Sequence, residues 1–311
     1  MKKRNIVQFV LVAAVVLSLG QSAASAADIP GITVLVSVAS DGTLGNGPNF
    51  DPAISADGRF VAFRSEASNL VSGDTNDEDD IFVHDMRTGT TERVSISSDG
   101  TQANRSSYNA SISGDGRFVA FSSSAKTLVP GDTQGEDVFV RDREAGITKI
   151  VSVASDGTFG GRRSYSPSIS ANGRFVVFIS SDRYMVSNEW NGLDDIFIRD
   201  LQTDTTERVS IVGDPEPYPS PFGDVEFPVV ATDGLFVAFS NNFPPPYVGL
   251  FVRDRSAGIV DQMQITCPPN LACAAAIPRS ISDNGRYIVF YNLDYRNRGI
   301  FLHDRQTGIT E

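Results

Sequence analysis

One block of sequence recurs five times in this chain of 311 residues, and a fold must accommodate that repetition before anything else. Each copy has a turn of the form Asp/Asn-Gly, an apolar run, a polar loop, and a second apolar run closed by an aspartate. The turn glycines are Gly58, Gly116, Gly173, Gly234 and Gly285, spaced 58, 57, 61 and 51 residues apart. The second runs are Ile81-Phe82-Val83, Val138-Phe139-Val140, Ile196-Phe197-Ile198, Leu250-Phe251-Val252 and Ile300-Phe301-Leu302. Their closing acids are Asp85, Asp142, Asp200, Asp254 and Asp304.

Each copy reads as four antiparallel strands. In the first, residues 51–55 enter a turn at Asp57-Gly58, where glycine supplies the positive φ a tight hairpin needs. Residues 60–63 return, 81–84 form a third strand, and 91–96 a fourth. The middle strands are apolar at consecutive positions, as in Phe60-Val61-Ala62-Phe63, which a strand shows when both faces of its sheet are covered. A stack of small sheets meets that condition. The last copy stops at Thr307-Gly308-Ile309-Thr310-Glu311, where its fourth strand begins, and Ile32-Thr33-Val34-Leu35-Val36-Ser37-Val38 nearly copies Ile147-Thr148-Lys149-Ile150-Val151-Ser152-Val153. The expectation is therefore an all-β, five-bladed β-propeller of four-stranded antiparallel blades, closed by the N-terminal strand completing the last blade. Residues 27–311 form this single domain.

Blocks such as Ser55-Ala56-Asp57-Gly58-Arg59-Phe60-Val61-Ala62-Phe63 followed by Asp80-Ile81-Phe82-Val83-His84-Asp85 resemble the WD-like propeller repeats of the TolB type. The resemblance covers the chain beyond residue 26 and implies the fold and an envelope protein that works through protein contacts. TolB carries an additional N-terminal domain for which residues 27–31 leave no room, so its specific role is not carried over. The fourth copy departs furthest: Leu235 replaces the turn arginine, and Phe243-Pro244-Pro245-Pro246-Tyr247 replaces the polar loop.

Residues 1–26 have the three parts of a secretory signal peptide: Lys2, Lys3 and Arg4, an uncharged apolar stretch over 10–19, and the small-residue pattern Ala24-Ser25-Ala26. The apolar core is shorter than the roughly 20 residues a membrane-spanning helix requires. A secreted or periplasmic monomer is expected, with no membrane span after signal removal. Lys plus Arg total 26 against 38 acidic residues, a net charge of -12, which repels phosphate backbones and argues against nucleic-acid binding. With 2 Cys and 2 His, a multi-ligand zinc site and a disulfide framework are poorly supported; Cys267 and Cys273 are spaced for a local loop clip.

Three groups of residues are candidates for chemistry. His84 and His303 share a repeat position filled elsewhere by Arg141, Arg199 and Arg253, which reads as a rim site beside an acid. In the loop over 73–80, Asp74, Asn76, Glu78 and Asp80 offer oxygens at alternate positions, the donor set of a hard cation such as calcium; partial copies follow at 132–137 and 188–195. The opposing reading is a solvated acidic loop, since the sixth-position glycine of an EF-hand is missing. At the channel mouth, inner-strand starts bring round Phe50, Tyr108, Tyr165 and Glu226, then Asp51, Asn109, Ser166 and Phe227. Aromatic faces with orienting polar groups fit a sugar or another polar ligand. The leading expectation is a non-enzymatic scaffold for a protein or a polysaccharide, requiring no cofactor. The alternative is a polysaccharide-active enzyme with Asp51 and Glu226 as its carboxylate pair.

Overall fold

The turn that opens each repeat is built by its own side chains. In the computed structural model, Gly58 has φ +73°, the Asp57 carboxylate accepts the Arg59 amide at 3.0 Å, and the Ser55 hydroxyl accepts the Phe60 amide at 2.9 Å. The same set recurs around Asp115, Asn172 and Asn284. Each such hairpin starts a four-stranded antiparallel sheet. The structure describes residues 33–132, 135–186, 193–210, 225–241, 249–263, 265, 276–292 and 298–311. The candidate signal segment, both cysteines and the proline run of the fourth repeat lie outside them.

The first blade comprises β1 (Asn49–Ile54), β2 (Phe60–Ser65), β3 (Asp80–Asp85) and β4 (Thr90–Arg93). The second comprises β5 (Ser107–Ile112), β6 (Phe118–Ser123), β7 (Asp137–Asp142) and β8 (Ile147–Ile150). The third comprises β9 (Ser164–Ile169), β10 (Phe175–Ser180), β11 (Asp195–Asp200) and β12 (Thr205–Arg208). The fourth comprises β13 (Val225–Val230), β14 (Phe236–Asn241), β15 (Leu250–Asp254) and β16 (Ile259–Gln262). The fifth comprises β17 (Ala276–Ile281), β18 (Tyr287–Asn292), β19 (Gly299–Asp304) and β20 (Ile309–Thr310). The first strands of successive blades pack on one another, so they line the axis and the sheets radiate from it as propeller blades. Every regular element among the described residues is a strand.

Within a blade, a phenylalanine from the second strand stacks on one from the third, at centroid separations of 5.5–5.9 Å. Between blades the turn glycine is the contact. A Cβ added to Gly116 would lie 2.1 Å from the Phe60 ring, and at Gly173, Gly234 and Gly285 it would lie 2.4–2.5 Å from Phe118, Phe175 and Phe236. Glycine is thus required twice at these turns, for its φ and for the ring beneath it. The closing aspartates cap the next turn, each accepting the amide two residues on. Four of them also hold the hairpin arginine bidentately, as Asp85 holds Arg59 at 3.0 and 2.6 Å.

The expected closure by the N-terminal strand is not what the structure shows. The edge of β19 is taken by the chain's own β20, with His303 opposite Thr310 and Asp304 opposite Ile309. A hairpin partner a few residues away reaches that edge at far lower loop-closure cost than a segment from the other end of the chain. The N-terminal segment docks instead on the first blade: the Thr91 hydroxyl donates to the Val38 carbonyl at 2.5 Å, and the Thr91 amide to the Ser40 hydroxyl at 2.9 Å. Thr148 and Thr206 grip Ile96 and Ser98, and Val153 and Ser155, in the same way. Residues 38–44 therefore belong to the class of connectors that follow an outer strand and clasp the next blade. Among the described residues nothing covers the seam between the fifth and first blades, where Ile300 is 76% and Ile54 63% exposed.

Candidate functional site

The inner strands share a deformation that places the channel-mouth residues. Each has a shift in register against its neighbour, and in the first four blades the extra residue is Asp51, Asn109, Ser166 or Phe227, with φ between 49° and 54°. Aspartate and asparagine tolerate that left-handed conformation best among residues with a side chain. The backbone alone thus accounts for Asp51 and Asn109, which the sequence offered as ligand-orienting groups. Ser166 and Phe227 hold the same conformation without that tolerance, a strain of about 1–3 kcal/mol each.

One residue earlier, Phe50, Tyr108, Tyr165 and Glu226 stand at a common register, paired across to Arg64, Ser122, Ile179 and Ser240. Arg64 is the residue that organises this end. Its guanidinium lies 4.3 Å from the Phe50 ring centroid and 5.4 Å from that of Tyr108 in the next blade, and pairs with Asp79 at 3.1 Å and Asp51 at 3.4 Å. A second group forms in the third blade. Arg163 covers the Tyr165 ring at 4.0 Å and pairs with Glu136 at 2.7 Å, while the Tyr165 hydroxyl donates to Asp194 at 2.7 Å. Burial, and then the Asp194 carboxylate, push the Tyr165 phenol well above its ordinary range. Ser122 contacts Asn109 at 3.4 Å.

The structure thus joins Phe50, Asp51 and Tyr108 through Arg64, and Tyr165 with Asp194 through a hydrogen bond. Arg64 and Arg163 were absent from the sequence reading. Arg64 had a visible signal, being the one charge at its place in the second strands, where the other repeats carry Ser122, Ile179, Ser240 and Tyr291.

The acidic loop is organised around a cation of its own. Arg93 pairs with Asp74 at 3.0 Å and Asp80 at 3.1 Å, Asn76 turns its amide nitrogen to Asp80 and the Ala103 carbonyl, and Glu78 accepts the Ser106 hydroxyl. Burial raises the Asp74 and Asp80 carboxyls against the pull of Arg93. Among the described residues, no group of three or more His, Cys, Asp or Glu side chains is arranged to hold a metal ion. Beside the loop lies a cavity of about 230 Å³ lined by Glu66, Asp77, Glu78 and Asp79 among others.

Both histidines are buried clasp residues. His84 Nδ1 meets Thr91 Oγ1 at 2.8 Å and His303 Nδ1 meets Thr310 Oγ1 at 2.9 Å, the contacts that Arg141 and Arg199 make to Thr148 and Thr206. Burial lowers both imidazoles below their usual range.

No protein-family model matches this chain, and no curated protein does. Solved structures do. TolB from Acinetobacter baumannii superposes with a TM-score of 0.53 at 17% identity, over 85% of this chain and 53% of that one. A TolB-type protein from Agrobacterium tumefaciens gives 0.54 at 15% identity, over 85% and 80%. An oligogalacturonate lyase in complex with manganese gives 0.50 at 13% identity, over 83% and 63%. The chain spans about half the length of the Acinetobacter TolB. At these identities the likeness is one of fold: this is a TolB-like β-propeller.

Proposed function

We propose that this chain is an exported, non-enzymatic binding module that presents the Phe50–Arg64–Tyr108 end of its axis to a protein partner. The reading rests on the guanidinium held between two aromatic rings from neighbouring blades. Arginine and aromatic side chains are the types that carry most interface energy, and here both are ordered before a partner arrives. Asp51 and Asp79 fix the guanidinium, so little side-chain entropy remains to be lost on docking. Export is supported by the charged, apolar and small-residue parts of residues 1–26 and by the TolB-like fold.

A photo-crosslinking residue placed at Tyr108 is expected to trap one partner from an envelope extract, with loss of that adduct in Arg64→Ala. The same protein screened on plant and bacterial glycans should release no reducing sugar. Turnover that disappears in Asp51→Ala would replace this reading with the enzymatic one, and glycan binding without turnover would move the partner class to polysaccharide. Cell fractionation showing the full-length product in the cytoplasm would remove the export step.

A further inference from the structure

Three of the four covered blade interfaces are sealed by an ion pair laid over a ring. The arginine after a closing aspartate reaches back to the preceding blade: Arg143 lies 4.4 Å from the Phe60 ring centroid, Arg255 5.3 Å from that of Phe175, and Arg305 5.8 Å from that of Phe236. Each also pairs with an acid on that blade's fourth strand, Glu92, Glu207 or Asp261, at 2.6–2.8 Å. The guanidinium roofs the ring, and the pair neutralises itself.

The interface between the second and third blades is made from the same hairpins without this seal. Leu201 stands in the place of the arginine, and Lys149 in the place of the acid. Both members of one pair are changed, and the charge on the fourth strand is reversed. Phe118 is covered by its own hairpin arginine, Arg117, at 4.8 Å, as Phe60 is by Arg59, but Leu201 gives it no second cation. Where the seal is missing lies a cavity of about 190 Å³ with Phe118, Val140, Val151 and Leu201 among its walls. Val140 and Val151 are buried, and Phe118 and Leu201 are half-buried against the same core cluster. Four charged residues also line it. Arg199 pairs with Asp204 at 3.1 Å, and Asp142 with Arg117 at 2.7 Å. Lys149 is exposed, and among the described residues it has no ion-pair partner. The uncompensated charge at this cavity is therefore positive, on a chain whose net charge is -12.

We propose that this cavity binds a small apolar monocarboxylate, carrying one ring or a branched chain of similar size, with its carboxylate on Lys149. The volume suits one such group, since an apolar cavity of about 150 Å³ holds a benzene ring. The charge selects the acid: Lys149 offers a mobile ammonium, while both carboxylates of the lining already have arginine partners. An amine of the same shape meets that ammonium as a like charge. The site lies at the outer strand β8 and not at the axis, so it goes beyond the binding role proposed above, and neither depends on the other.

Ligand-detected NMR titration of the full chain with 3-phenylpropionate, 3-phenylpropanol and 3-phenylpropylamine tests this. The acid should bind with a Kd on the order of 1 mM or below, at least about tenfold tighter than the alcohol, and the amine should not bind. Lys149→Glu should weaken the acid by at least about tenfold. Leu201→Arg combined with Lys149→Glu rebuilds the seal of the other three interfaces, so the double variant should melt no lower than wild type and lose the acid altogether. Lys149→Glu alone alters one exposed side chain, and it reads the charge separately if the double variant melts lower. An acid that does not bind by about 10 mM would show a packing void only and overturn the proposal. So would an amine bound as tightly as the acid, an acid bound equally by Lys149→Glu, or one still bound by a folded double variant.

Discussion

The first three blades and the last two are built from the same hairpin, yet they lock their third strands differently. In the first three, a buried aspartate opens the third strand and accepts a serine hydroxyl that in turn accepts a backbone amide. The sets are Asp80 with Ser95 and Ile81, Asp137 with Ser152 and Val138, and Asp195 with Ser210 and Ile196. In the last two, that aspartate is replaced by Gly249 and Gly299. The hairpin, with its stacked phenylalanines and glycine-on-ring contact, therefore suffices to make a blade. The serine–aspartate lock adds a tie between the third strand and the chain that follows the fourth.

The largest effect should come from breaking the glycine-on-ring contact that four of the five turns make. Gly116→Ala places a methyl group inside the Phe60 ring at a positive φ, and is expected to destabilise by about 3 kcal/mol in urea titration. Gly58→Ala, in the same Asp-Gly-Arg-Phe turn but facing the bare seam, should cost about 1 kcal/mol. Equal losses would show that the first blade is covered after all. Next is the lock. Ser152→Ala leaves the Val138 amide and the Asp137 carboxyl each short of a partner, at about 2 kcal/mol.

The locks also differ among themselves. Asp80 has Arg93 beside it, whereas at the matching register Asp137 has Ile150. Burial, reinforced by the nearby Asp132, Asp182 and Glu136 carboxylates, pushes the Asp137 carboxyl up to about 7 from an ordinary 3.8. The folded protein thus keeps a proton that the unfolded chain releases, so this group's contribution is full below pH 4 and is lost as pH rises through about 7. Wild type should lose stability between about pH 4 and about pH 7 relative to Asp137→Asn, and parallel pH profiles would refute the assignment. The smallest change concerns the fourth blade, where Leu235 leaves Asp254 without the arginine that four other closing aspartates hold. Leu235→Arg should add about 0.5 kcal/mol, read as a small rise in the denaturation midpoint.

Much of the fold was legible because hairpin chemistry is local: turn glycine, Asx cap and consecutive apolar positions name a two-sided blade without long-range information. The place of residues 33–42 was not. The stretch they copy, residues 148–157, is an outer strand followed by a connector, and sequence likeness cannot say which half finds a partner. The connector half did, because Thr91 waits for Val38 and Ser40 within the next blade. At the axis, Phe50, Tyr108 and Tyr165 share one register of the inner strands. Asp51 and Asn109 carried a signal of backbone conformation that resembles one of ligand chemistry, since the same short polar side chains serve both. Arg64 was missed because its role comes from pairing across two blades.

The central claim is that four blade interfaces are covered and the fifth is bare, and hydrogen exchange followed by mass spectrometry reads it directly. Amides of β7 and β11 should stay protected far longer than those of β19, whose apolar face meets solvent at Ile300 and Leu302. Equal protection across the three strands would contradict it.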